Sequence, residues 1–289
     1  MSDHSAAPAE TAPRPGSRQE RAEARRAEAR LPYAPLPDTR WGAPTALTTF
    51  VVIIALLVVV ELARTFGVLS GEVGTMIMWI IFDGGILVAL AIVCRTWGSG
   101  SWAKDFGLRF RWFDVFIGLG SAVGIQLIGG MIGQFVIALT GETPKSNIAP
   151  PSPELVWVLV NTVFATAIVA PFCEEALFRG LLLRGFRNTI LRGRTTNGVR
   201  RGAATPSTAR RRTAAIVSVG ASALIFAIVH LYEGWGSPVT MVTLGLTILV
   251  LGTVNGVYAA TTRRLGPGIW THVWFNTFTV LLTLARSGS

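Results

Sequence analysis

Charged residues are scarce in this 289-residue chain, and the acidic ones are the scarcer kind. Asp, Glu, Lys and Arg make up 15% of the sequence, only 16 residues are acidic, and 51% are hydrophobic. A soluble globular domain carries about a quarter of its residues as charges. The mean hydropathy of +0.51 points the same way. This composition argues against a soluble domain and indicates a polytopic membrane protein.

Cysteine and histidine are almost absent. The two cysteines, Cys94 and Cys173, lie in or beside apolar segments, so we expect no disulfide framework and interpret both as small buried hydrophobic residues. Beyond the N-terminal region, the only histidines are His230 and His272. We expect no cleavable signal peptide, because the first 40 residues are polar.

Long apolar segments dominate the rest of the chain, and each can cross a hydrocarbon core of about 30 Å. We place seven of them near residues 45–66, 72–94, 113–140, 155–187, 213–231, 238–259 and 268–285. They predict an all-α fold, a transmembrane bundle of about seven helices. Residues 1–40, rich in Ala, Pro, Arg and Glu, predict a disordered cytoplasmic tail. Residues 41–289 then form the transmembrane domain.

The basic residues predict the orientation of these helices. Most Lys and Arg fall in four segments: before residue 41, between Arg95 and Arg111, between Arg184 and Arg212, and at Arg263 and Arg264. Intervening loops carry few, which is the positive-inside pattern. We therefore predict a cytoplasmic N-terminus. The net charge of +10 indicates contact with anionic lipid headgroups, above all at the loop 188–212, and not with nucleic acid.

Three charges interrupt the fourth apolar segment, at Glu174, Glu175 and Arg179. Each costs roughly 2.5–3.5 kcal/mol at the bilayer centre unless it is paired or hydrated, so they indicate a functional site. Glu175 and Arg179 are four residues apart and can pair on one helix face. Glu174 points about 100° away, toward a cavity. Pro171, which has no backbone N–H, predicts a kink or a restart of this helix.

Other polar residues in the apolar segments have structural interpretations. Asp83 and Asn161 are expected to form hydrogen bonds between helices. The third segment carries glycines that predict close helix packing. These are Gly120, Gly124, Gly129, Gly130 and Gly133.

Two further motifs follow in the later segments. The fifth segment ends with Phe226-x-x-x-His230, and the seventh begins with His272-x-x-x-Asn276, which places its two polar side chains on one helix face. Together with Glu174, these residues suit amide hydrolysis. Glu174 and His230 would activate water, while His272 and Asn276 would donate hydrogen bonds to the oxyanion.

A metal site is the alternative chemistry for the same residues. Glu174, His230 and His272 can instead hold a divalent metal, with zinc the expected ion, that activates the water. The His-Glu-x-x-His spacing of many zinc proteases is absent.

Taken in order, the three motifs resemble those of the CPBP family of intramembrane proteases. They read Glu174-Glu175-x-x-x-Arg179, Phe226-x-x-x-His230 and His272-x-x-x-Asn276, within residues 155–285. That family includes the type II CAAX prenyl endopeptidases and bacterial Abi proteins. The resemblance extends over about residues 105–285.

The resemblance implies an intramembrane endopeptidase, labelled a metalloprotease, that cleaves a membrane-anchored or lipidated protein or peptide. The catalytic roles fall on Glu174, His230, His272 and Asn276, and support falls on Glu175, Arg179 and Phe226. A bacterial plasma membrane is the expected location. Two alternatives stay open: a non-catalytic membrane scaffold or bacteriocin-immunity protein, and a proton-coupled transporter.

Overall fold

The structure, a computed structural model, describes residues 40–146, 152–192 and 207–287. Within these ranges the regular structure is entirely helical and contains no β-strand, which confirms the predicted all-helical class. The predicted tail 1–40, apart from Arg40, and residues 193–206 of the basic loop lie outside the described residues.

Eight helices, numbered here in chain order, make up the described fold. They are α1 (Ala43–Thr65), α2 (Gly71–Thr96), the single turn α3 (Trp102–Asp105), α4 (Asp114–Thr140), α5 (Leu155–Trp157, Val158–Val169, Ala170–Glu175, Ala176–Leu182 and Leu183–Arg192 in succession), α6 (Thr208–His230, followed by the 3-10 turn Leu231–Gly234), α7 (Pro238–Thr262) and α8 (Gly266–Ser287). The apolar runs give the helices their lengths, and local signals fix their ends. Ser237 caps α7 by accepting a hydrogen bond from the Thr240 N–H, and Gly141 ends α4 with φ of 73°.

Six of these helices are long and apolar enough to cross a membrane: α1, α2, α4, α5, α6 and α7. The predicted count of about seven spans is therefore confirmed for six in the described part of the chain. The seventh predicted segment folds as α8, a helix of 22 residues. Its threonine, histidine and asparagine side chains make α8 less apolar than the spanning stretches of those six helices, and it is not counted among them. The cytoplasmic position of the N-terminus stays a prediction.

Large apolar side chains cover the outer surfaces of the bundle. Val51 and Val59 on α1 and Leu127 and Phe135 on α4 each expose more than 60% of their surface. Outward apolar faces of this kind are expected where lipid replaces water as the solvent. Some charged and polar side chains are buried inside the bundle beside its apolar core, among them Asp83, Glu175, Arg179 and His272.

The start of α8 is fixed by contacts at one end of the bundle. Arg264 Nη1 lies 2.6 Å from Asp114 Oδ2 at the beginning of α4, and Arg184 Nη2 donates to the Arg263 carbonyl oxygen at 3.0 Å. These contacts tie the segment before α8 to both α4 and α5. They therefore fix the position of α8 along the bundle axis relative to α4 and α5.

Close packing of α4 against α8 occurs at a glycine outside the predicted stripe. A Cβ atom on Gly118 would lie 2.5 Å from the Trp270 carbonyl carbon. Gly129 does approach Thr247 of α7, but Gly120 and Gly124 have open space where a Cβ would be. The same holds at Gly130, while Gly133 makes only ordinary van der Waals contact. The predicted role of the glycines is therefore confirmed at Gly129 and wrong at the open positions.

The two intramembrane polar residues with structural interpretations have different outcomes. Asn161 Nδ2 donates to Glu72 Oε2 at 2.9 Å, so the hydrogen bond between α5 and α2 is confirmed. Asp83 of α2 is buried beside the Cys173 thiol of α5. The interhelical hydrogen bond of Asp83 stays a prediction. Cys94 and Cys173 are both free and buried, as expected.

Candidate active site

Two of the three charged residues that the sequence predicted to form a site in the middle of α5 pair within the helix. Arg179 Nη1 lies 3.1 Å from Glu175 Oε1, and neither side chain is more than 1% exposed. This contact confirms the pairing predicted from the spacing of four residues. An unpaired buried charge is costly, so the opposite charges of the pair compensate each other inside the bundle.

Two other helices also bind the Glu175 carboxylate. Its Oε1 atom accepts a hydrogen bond from Asn255 Nδ2 of α7 at 3.0 Å, and His272 Nδ1 of α8 lies 3.2 Å away. One carboxylate therefore connects α5, α7 and α8. Asn255 was missed by the sequence analysis, although an amide in the middle of an apolar helix is itself a signal for a polar contact between helices.

Glu174 faces a different direction and meets both histidines. Its Oε2 atom lies 3.7 Å from His230 Nε2 and 3.8 Å from His272 Nε2, and its side chain is 19% exposed. α6 supplies His230 from its last residue, and α8 supplies His272 from its second turn. The structure thus brings together the carboxylate and the two imidazoles of the sequence-predicted site.

Hydrogen bonds on the far side of each imidazole fix which nitrogen faces Glu174. His230 Nδ1 lies 2.8 Å from the Phe226 carbonyl oxygen, which can only accept, so Nδ1 carries the hydrogen. His272 Nδ1 likewise donates to Glu175 Oε1. In the neutral ring, each Nε2 then presents a lone pair toward Glu174. Both imidazoles are oriented to exchange a proton at Nε2.

The spacing of these groups suits bridging water. At 3.7 and 3.8 Å the Nε2 atoms are too far from Glu174 Oε2 for direct hydrogen bonds, and contacts of this length are commonly bridged by a water molecule. A cavity lined by Glu174 and His230 offers about 40 Å³ to the centres of water molecules. One water needs about 10–15 Å³ by this measure.

Apolar side chains form most of the cavity wall. Phe50 and Leu57 of α1 and Phe82 of α2 line it together with Glu174. The wall also contains Glu233, whose Oε1 atom lies 3.8 Å from His230 Nε2. The sequence analysis missed Glu233. A carboxylate three residues after a candidate histidine, at the end of its helix, was the available signal.

Phe226 packs at the junction of the charged and imidazole groups. Its ring centroid lies 4.4 Å from that of His230 and 5.6 Å from that of His272. The Arg179 guanidinium carbon lies 4.2 Å from the Phe226 centroid, a cation–π distance. This position agrees with the supporting role that the sequence predicted for Phe226.

The Asn276 side chain contacts the backbone of a neighbouring helix. Its Nδ2 atom donates to the Thr166 carbonyl oxygen of α5 at 2.9 Å. That contact lies one helical turn along α8 from His272. The second N–H of the amide is the group available to a substrate, and the oxyanion role of Asn276 stays a prediction.

The predicted metal ligands Glu174, His230 and His272 do not converge as a metal requires. Among the described residues, no group of three or more His, Cys, Asp or Glu side chains is placed to hold a metal ion. Glu174, His230 and His272 as they stand in this structure therefore do not form a ready metal site.

Comparison with known proteins locates the family in the same region of the chain. Residues 155–278 match the family described as type II CAAX prenyl endopeptidase Rce1-like, a shorter range than the 105–285 of the sequence resemblance. The matched range contains Glu174, His230, His272 and Asn276. Searches of curated proteins and of solved structures gave no match. Residues 155–278 of this membrane protein therefore form a domain of the Rce1-like type II CAAX prenyl endopeptidase family, which is a family of proteases.

Proposed function

We propose that this protein is an intramembrane endopeptidase that hydrolyses a peptide bond in a membrane-anchored or lipidated protein or peptide. The observation that carries the proposal is the approach of His230 Nε2 and His272 Nε2 to one oxygen of Glu174, within 3.8 Å, beside a cavity large enough for water. A hydrated carboxylate and two imidazoles at the same point in a bundle are the groups that water activation requires.

The first step is attack by water on the scissile carbonyl carbon. Glu174 removes a proton from a water molecule held between its Oε2 atom and the Nε2 atom of His230, while the water oxygen forms the new C–O bond. The apolar wall of the cavity limits access of bulk water, which strengthens electrostatic interactions inside the site. The product of this step is a tetrahedral intermediate with a negatively charged oxygen.

The second step breaks the C–N bond. His272, and the free N–H of Asn276, would donate hydrogen bonds to the oxyanion, for which His272 must carry a proton on Nε2. Glu175 holds the ring in place for this role, because its carboxylate accepts the Nδ1–H at 3.2 Å. As the intermediate collapses, the proton held by Glu174 passes to the departing amine, and the carboxylate is restored.

Several parts of this proposal rest on the sequence. A divalent metal as cofactor, anionic lipid headgroups as partners of the basic loops, and a bacterial plasma membrane as the location all stay predictions. The rates of cleavage of a prenylated and an acylated peptide show whether the enzyme requires a prenyl group.

The test uses the full chain in proteoliposomes with two peptides of the same sequence, one prenylated and one anchored by an acyl chain. Glu174→Gln should lower the rate of cleavage by about 10²- to 10⁴-fold, because the amide cannot accept the proton of water. Glu61→Gln, a change at a partly exposed glutamate of α1, is the matched control and should keep the wild-type rate.

Three further measurements complete the test. Thermal unfolding shows that Glu174→Gln is folded. Zinc content and the rate in the presence of a chelator measure the predicted dependence on a metal. Intact cleavage in a folded Glu174→Gln protein would contradict the assignment of the general base, and absence of cleavage in the wild type with both peptides would favour the scaffold or transporter alternatives.

A further inference from the structure

The stretch of α5 that leads to Pro171 has hydrogen bonds one residue longer than those of an α-helix. Residues Val158–Val169 are π-helical, and the Ala170 N–H donates to the Ala165 carbonyl oxygen, five residues back. The Thr166 hydroxyl donates to the carbonyl oxygen of Asn161, again five residues back, at 2.9 Å. In this register the next donor, residue 171, faces the Thr166 carbonyl oxygen.

Pro171 leaves that carbonyl without its helical partner, because proline has no backbone N–H. The α-helical donor, the Ala170 N–H, is engaged with Ala165. Inside a membrane there is no bulk water to replace the missing donor, so an unpaired carbonyl is costly. Asn276 Nδ2 of α8 supplies the hydrogen bond instead, at 2.9 Å from Thr166 O.

We propose that Asn276 is a positioning residue that takes the place of the missing Pro171 N–H and thereby sets the distance between Glu174 and His272. Glu174 lies three residues after Pro171 on α5, and His272 lies one turn before Asn276 on α8. The bond from Asn276 to Thr166 O joins these two helices one turn away from the contact between Glu174 and His272. It also accounts for the continuity of α5 through Pro171, where the sequence predicted a kink or a restart.

This role differs from donation to an oxyanion in one measurable respect. A positioning contact depends on whether residue 171 has an N–H, whereas a contact with the substrate does not. Changing Pro171 to alanine restores a backbone donor for Thr166 O. Asn276 should then become less important, although nothing in the substrate has changed.

A double-mutant cycle tests this dependence. Wild type, Pro171→Ala, Asn276→Ala and the double variant are compared as full chains in detergent or proteoliposomes. In the wild-type background, we expect Asn276→Ala to lower the unfolding temperature and to reduce kcat by about tenfold to a hundredfold, with little change in KM. With Ala at position 171, the loss in unfolding temperature should shrink markedly, and the loss in kcat should shrink to the part that comes from the free N–H of Asn276 donating to the oxyanion.

Gln126→Ala is the matched control. Gln126 Nε2 also joins a neighbouring helix to α8 through a carbonyl, that of Phe275, at 3.0 Å, but no proline stands four or five residues after Phe275. Its effect should be the same with Pro or Ala at position 171. If the Asn276→Ala protein does not fold, Asn276→Leu, which keeps a similar volume, enters the cycle in its place.

Losses from Asn276→Ala that are equal or larger in the Pro171→Ala background would overturn the proposal. The unfolding temperatures require no substrate. They therefore decide the positioning role even if the protein proves not to hydrolyse peptides, whereas the kcat readout rests on the proposed function. A coupling seen in unfolding temperature but not in kcat would also overturn the claim that the bond positions Glu174.

Discussion

At the scale of single residues, neighbouring side chains decide what two adjacent glutamates can do. Glu175 is enclosed by Arg179, Asn255 and His272 and has 1% of its side chain exposed, whereas 19% of Glu174 is exposed to the cavity. The chain places them one residue apart, so the helix turns them about 100° from each other. One carboxylate therefore stabilises the bundle, and the other is left to meet water.

The buried pair predicts a large and non-additive effect on stability. Glu175→Gln leaves the Arg179 charge buried without a counter-charge, and we expect it to lower the free energy of unfolding by about 3–5 kcal/mol. Replacing both residues, with Gln and Met, should cost less than Glu175→Gln alone, because no unpaired charge is left.

A surface pair supplies the control for this experiment. Arg64 Nε and Glu61 Oε2 are 2.9 Å apart on α1, with both side chains partly exposed. Glu61→Gln should change stability by less than about 1 kcal/mol. Denaturation in mixed detergent micelles measures all of these variants. Additive effects of the two changes at Glu175 and Arg179 would contradict the prediction.

At the scale of elements, α8 brings His272 to Glu174 because its first turns lie directly against α4. Gly118 of α4 has no Cβ, and the backbone of Trp270 and Thr271 occupies the space where one would be. His272 is the next residue on α8. The position of a catalytic side chain therefore depends on a glycine on a different helix.

This contact predicts that changing glycine to alanine has different effects at Gly118 and Gly120, two positions on the same helix. Gly118→Ala should lower the free energy of unfolding by about 1–3 kcal/mol, because the new Cβ forces the backbone of α8 outward. It should also reduce the rate of peptide cleavage. Gly120→Ala is the control: no atom lies within 4 Å of its Cβ position, so the change should leave both quantities near the wild-type values. Equal effects at the two positions would show that α8 does not rest on Gly118.

At the scale of the whole molecule, basic residues gather at one end of the bundle. Arg184 contacts the Arg263 carbonyl oxygen, and Arg264 pairs with Asp114, whereas the turns 66–70 and 231–237 contain no Lys or Arg. The predicted orientation places the arginine-rich end in the cytoplasm.

Labelling of single cysteines tests that orientation. Ser99→Cys and Ser70→Cys place a thiol at exposed positions on opposite ends of α2, while the native Cys94 and Cys173 are buried. In right-side-out vesicles, a membrane-impermeant maleimide should label position 70 and spare position 99. Inverted vesicles should give the opposite result. Labelling of both positions from one side would contradict the predicted topology.

The sequence by itself determined the features that depend on spacing along one helix. These are the approximate bounds of the apolar segments, the pairing of Glu175 with Arg179, and the separation of Glu174 from that pair. Each follows from the helical period and from the cost of an unpaired charge in lipid, which are local properties of the chain.

Only the tertiary structure decided how residues on different helices meet. The approach of His230 and His272 to Glu174, the hydrogen bond from Asn255 to Glu175 and the bond from Asn276 to Thr166 all depend on the tilt and relative depth of separate helices. A run of apolar residues specifies neither quantity, since lipid and protein neighbours satisfy such a run equally well. The depth is set instead by a few contacts between helices, such as Gly118 against Trp270 and Arg264 with Asp114, whose partners are far apart in the chain.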